Sequence, residues 1–150
     1  MRRAFKSGHS GMLLLALLGC CFLLGQAHAA RPDLTVADYC RLTVSLMELS
    51  VQEWQERVPI AQRNKGDRRK LEAALKETTK KYEDRRGEAY QRFAVDQRTY
   101  LRYSSDHKTE IESYLEENPD VQSSINELKA QIDNLIQQFE SAASTGGEKQ

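Results

Sequence analysis

Proline and glycine are scarce in this chain, with three prolines and eight glycines among 150 residues. Few turns are therefore available, no stretch reads as a strand, and a sheet-built domain is excluded. Cysteine is scarcer still. Cys20 and Cys21 lie in an apolar N-terminal run, so once that run is removed Cys40 stands alone and no intramolecular disulfide framework can form. What remains open to Cys40 is a buried thiol on a helix seam, or an intermolecular disulfide. The C-x-x-C-H signature of a covalently held haem is missing. Beyond residue 30 the only histidine is His107, and neither it nor Cys40 sits in a nucleophile motif. His107 and Glu110 share a helix face, but a metal site needs three or four ligands. No catalytic, cofactor-binding or metal residue is assigned, and no cofactor is expected. The carboxylates of "EIESYLEENPD" read as a solvated helix end.

What the chain does have begins with an export signal. Arg2, Arg3 and Lys6 precede an apolar run from Met12 to Gly25, and the small-residue site Ala27-His28-Ala29 follows. Cleavage after Ala29 is expected, leaving an exported, periplasmic or secreted product. The competing readings are a lipoprotein cut before Cys20, which would then carry lipid, and an uncleaved anchor. Leu18 is bulky for the lipoprotein site, and Phe22, Leu23 and Leu24 continue the apolar run where a polar tether belongs. "RRAFK" resembles a twin-arginine motif, but the leucines behind it are too apolar for that route.

The part expected to be exported is rich in helix formers, and its apolar spacing is helical throughout. A first helix is predicted over 35–58, opened by the capping box Thr35–Asp38 and stopped or kinked by Pro59. Ala37, Cys40, Val44, Met47, Val51, Trp54 and Val58 form a heptad seam along it. Tyr39, Leu42, Leu46 and Leu49 add a second apolar flank. "DLTVADY" and "ELSVQEW" echo one another, but the seam runs through both in phase. After the turn Asn64-Lys65-Gly66, a long middle helix is predicted over 67–117, with Gly87 and Ser104-Ser105 as the places to bend. Its seam is leaky, interrupted by Arg85, Arg86 and Asp96. Asn118-Pro119 starts a third helix over 119–142, whose seam is Val121, Ile125, Leu128, Ile132, Leu135, Phe139 and Ala142. The expected fold class is all-α: an elongated helical hairpin or three-helix, coiled-coil-like bundle over 30–143. Its outer helices should lie along the long central one, and a disordered tail should follow over 144–150.

Charge is unevenly spread. Residues 63–102 carry thirteen Lys or Arg against seven Asp or Glu, and residues 103–150 carry three against ten. Arg68, Arg69, Lys80, Lys81, Arg85 and Arg86 are the candidate partner-binding residues. Tyrosines interleaved with arginines would suggest nucleic acid in a cytoplasmic protein, but export and packing argue against it. Two functional classes follow. One is a non-enzymatic helical interaction protein, an adaptor, assembly factor or chaperone-like clamp with a protein partner and a tendency to self-associate. The other is a small-ligand or metal carrier that uses Cys40, His107 and the tyrosines.

Overall fold

The computed structural model describes residues 34–144; the export signal with its cleavage point after Ala29, the alternative lipid site Cys20 and the tail from Thr145 lie outside the described residues. The described residues are all-α, with five helices and no strand. These are α1 (Val36–Arg63), α2 (Arg68–Arg92), α3 (Gln97–Asp106), α4 (Lys108–Glu117) and α5 (Pro119–Ser144).

Helix α1 opens as its capping box predicts. Thr35 is extended, its Oγ1 accepts the Asp38 backbone N–H at 3.1 Å, and its hydroxyl donates to the Asp38 carboxylate at 2.7 Å. The expected stop at Pro59 does not occur, and α1 continues to Arg63. Val58 and Ala61, 6% and 0% exposed, are buried on both sides of the proline, and their packing offsets the hydrogen bond that proline cannot make. The helix ends at Asn64, whose backbone N–H and side-chain amide donate to the Ile60 carbonyl at 3.1 and 2.8 Å. Gly66, at a φ of 82°, then reverses the chain in a left-handed conformation that a side chain would resist. Asp67 caps α2 by accepting the Lys70 N–H at 3.0 Å.

The predicted middle helix is helical over most of its length, but it is divided into α2, α3 and α4. Ala94 takes a φ of 53°, which breaks the helix there, and Asp96 caps α3 by accepting the Thr99 N–H at 2.7 Å. The residue that interrupts the seam on paper is thus an N-cap. A second break falls at His107, two residues beyond the serine pair. Gly87, by contrast, stays inside α2. A Cβ built there would meet nothing within 4 Å. Gly87→Ala is therefore expected to stabilise the fold by about 0.5–1 kcal/mol in urea unfolding, the usual penalty for glycine inside a helix.

The scaffold is α1 rather than the middle segment, because both α2 and α5 pack mainly on it. Its two apolar flanks explain this. Tyr39, Leu42, Leu46 and Leu49 precede Glu53 by 14, 11, 7 and 4 residues, so they share the side of α1 from which Glu53 and Glu56 bond to α2. Trp54 points the other way, to α5, where its ring meets Phe139 edge-on at 5.4 Å. Of this flank Leu42 is buried, Tyr39 stacks on Tyr100 and Tyr103 of α3, and Leu46 and Leu49 are half-buried. Helix α2 runs antiparallel to α1, while α5 runs parallel to it and brings Ala143 and Ser144 to the Asn64–Gly66 turn. All seven predicted seam residues of α5 are half-buried, and α2 and α5 scarcely touch each other.

Candidate interaction surface

Helix α2 is used on one side only. Thr78, Tyr82 and Ala89, spaced at four and seven, are 7%, 1% and 4% exposed and face α1. The Tyr82 hydroxyl donates to Glu56 Oε1 at 2.8 Å, and Lys81 Nζ donates to the same oxygen at 2.6 Å. The Lys81 ammonium, followed by the Tyr82 hydroxyl, holds the Glu56 carboxyl below its ordinary range. Burial, followed by the bond to Glu56, pushes the Tyr82 phenol up. One turn along α2, Arg86 Nη2 binds Glu53 Oε2, while Arg57 binds the other oxygen of that carboxylate. Arg57 also donates to Thr79 Oγ1 at 2.9 Å and covers the Trp54 ring at 5.0 Å, and its buried Nε has no acceptor. Glu53, 4% exposed, is thus a buried anion between two guanidinium groups.

The six candidate cations divide along this line. Lys81 and Arg86 turn inward to Glu56 and Glu53, and Arg85 lies over Tyr82 at 5.1 Å. Arg68 pairs with Glu72 at 2.7 Å on the surface. Arg69 and Lys80 are exposed and make no ion pair among the described residues. Lys76, absent from the candidate set, belongs with them. It follows Arg69 by seven residues and precedes Lys80 by four, which places the three on one outward stripe of α2, about 17 Å long. Its charge pattern was legible; its outward direction required knowing which face meets α1.

Beyond α2 the aromatic residues are packed against one another. Tyr39 stacks on Tyr100 at 4.8 Å and on Tyr103 at 5.3 Å, and Tyr103 stacks on His107 at 4.1 Å. The Tyr100 hydroxyl meets Thr43 Oγ1 at 2.9 Å, and burial drives its acidity far below that of an ordinary phenol. Tyr90 leans on Tyr100 at 5.8 Å. These rings are engaged with one another, which leaves little of a base-stacking platform. His107 Nδ1 lies 2.7 Å from Glu110. Among the described residues no group of three His, Cys, Asp or Glu side chains is arranged to hold a metal ion. Cys40, the position considered for an intermolecular disulfide, is a free thiol 2% exposed at the start of α1, and burial raises its pKa. Among the described residues no helix is long and apolar enough to cross a membrane.

The described residues also form open grooves, one of them between α2 and the start of α3, lined by Glu83, Arg86, Tyr90 and Asp96 among others. Comparison with known protein families, with characterised proteins and with solved structures finds no match to this chain.

Proposed function

We propose that this chain is an exported, non-enzymatic helical interaction protein, an adaptor, assembly factor or chaperone-like protein that binds other envelope or secreted proteins through the outward side of α2. The observation that supports this reading most is the stripe of Arg69, Lys76 and Lys80: three exposed cations that make no ion pair among the described residues, on a helix whose other side is already taken by α1. Cations in such a row raise the encounter rate with an acidic partner and fix its register. Export follows from the N-terminal signal, with the lipid-anchored form at Cys20 as the alternative.

Photo-crosslinking side chains placed at Lys76 and Lys80, with Ala130 on the outer side of α5 as control, test the proposal. Adducts with other exported proteins are expected from the α2 positions, fading as salt is raised, and none from Ala130. Equal labelling from both helices, or none from α2, would overturn the assignment. The mass of the same purified protein reports processing: a product beginning at Ala30 fits release, and a lipid adduct on Cys20 fits anchoring.

A further inference from the structure

Glycine and alanine stand in each other's expected places around the groove between α2 and the start of α3. Gly87 lies inside α2, where the backbone is helical and no turn calls for glycine. It follows Arg69, Lys76 and Lys80 by 18, 11 and 7 residues, so it sits on the outward side of the helix, and no described residue comes within 4 Å of the place a Cβ would take. Ala94 is the reverse case. It holds the left-handed position that ends α2, its N–H donating to the Gln91 carbonyl at 3.0 Å and the Val95 N–H to the Tyr90 carbonyl at 3.1 Å, a cap that glycine commonly makes. A side chain at a φ of 53° takes away the freedom glycine would bring, and the turn it fixes sets Val95, Asp96 and Gln97 at the end of the groove. Gly87 is its floor.

We infer that this groove is a binding site for a neutral saccharide, whose ring lies over Gly87 with its hydroxyl groups on the polar side chains around it. A glycine in mid-helix weakens the helix, and the room it leaves is not used by the chain itself. The lining decides the class of ligand. Gly87, Val95 and the Tyr90 ring supply apolar surface for the C–H face of a sugar. Around them stand groups that hydrogen-bond in both directions: the Gln91 and Gln97 amides donate and accept, the Glu83 carboxylate accepts, and Arg86 keeps N–H donors beyond the one used on Glu53. An anion would meet Glu83 and Asp96, and a cation would meet Arg86. A wholly apolar ligand would strip water from these groups without replacing their hydrogen bonds, whereas hydroxyl groups replace them. The row Glu83, Gly87 and Gln91 spans about 12 Å along α2, room for a disaccharide. The site does not depend on the protein contact proposed above, since Lys76 lies about 16 Å back along the helix from Gly87.

The test is a titration of the purified, isotope-labelled protein with the neutral disaccharides cellobiose, maltose and di-N-acetylchitobiose, followed by backbone amide NMR shifts. At least one is expected to bind in the millimolar range and to move the Gly87, Gln91 and Gln97 amides together. Gly87→Leu fills the floor of the groove, and with nothing within 4 Å to clash it should unfold in urea no earlier than the wild type. Its affinity for the sugar should fall about tenfold or more. Gly87→Ala, which strengthens the helix, should weaken binding in the same direction, so that stability and binding move apart. Gln91→Ala removes one hydrogen-bonding group and should lose about two- to tenfold. Lys76→Ala should bind sugar as the wild type does. No shift with any of the disaccharides at tens of millimolar, shifts elsewhere on the surface in place of these amides, or Gly87→Leu binding as well as the wild type would each overturn the site. A response of the same amides to acetate or putrescine and not to the sugars would overturn the class of ligand. The crosslinking from Lys76 and Lys80 to other proteins would stand or fall separately.

Discussion

Glu53→Ala is expected to lower folding stability by about 3 kcal/mol, read from urea unfolding at neutral pH. The carboxylate it removes binds both Arg57 and Arg86, whose side chains are 19% and 29% exposed. Without it, two guanidinium groups lie close together in a poorly hydrated seam, and one of them already has an Nε with no acceptor. Stranding a buried charge is costly, whereas replacing a whole buried ionic group by apolar side chains is often close to neutral. Glu53→Leu combined with Arg57→Leu and Arg86→Leu should therefore regain most of the loss. If the triple variant is as unstable as the single one, the loss does not come from stranded charge.

The second large effect belongs to Tyr82. It is the largest fully buried side chain in the described residues, and Tyr82→Ala should cost about 4 kcal/mol through lost burial and the cavity left behind. Tyr82→Phe keeps the ring and removes only the hydroxyl bond to Glu56, which also keeps Lys81, so about 1 kcal/mol is expected. Denaturant midpoints of the two variants separate packing from the hydrogen bond. Tyr82 and Arg86 are one helical turn apart on the same seam, so Tyr82→Phe and Glu53→Ala should not be additive.

Much of this fold is legible in local sequence chemistry. Thr35, Asp67 and Asn118-Pro119 mark the starts of α1, α2 and α5 because capping is decided within one turn of chain. Even there, Asn118 uses its side chain to donate to the Tyr114 carbonyl at 2.7 Å, closing α4, rather than to cap α5. Pro59 misleads because the rule for proline is local, while the packing of Val58 and Ala61 that overrides it is tertiary. Asp96 misleads in the opposite way. Read as a charge in a seam it is an anomaly, whereas its bond to Thr99 three residues on is the signature of a helix start. The choice of α1 as scaffold was half visible in its two apolar flanks. A flank gives no address for what covers it: its width reads as more than one neighbouring helix can cover, and so as a surface for a second copy, whereas in the fold both α2 and α3 pack along that side. The surface stripe was hidden for the same reason: charge spacing shows that Arg69, Lys76 and Lys80 share a side, and only the position of α1 shows that this side is bare.

Helix α5 holds no fully buried residue and rests mainly on α1, whereas α1 and α2 are tied by the Glu53 and Glu56 groups. The two helices thus hold α1 by different means, α5 by an extended half-buried apolar seam and α2 by buried ionic and hydrogen bonds. They also differ in how far along the chain their contacts must close. The hairpin closes across a short turn, while Phe139 must find Trp54 from far along the chain, at a larger loop-closure entropy. As the chain folds from its N-terminal end, there is an interval in which α1 and α2 are joined and the Trp54 side of α1 is still bare. In that interval α1 is an open template, and the helix that arrives first, from this chain or from another, decides whether the product is one molecule or an exchanged pair.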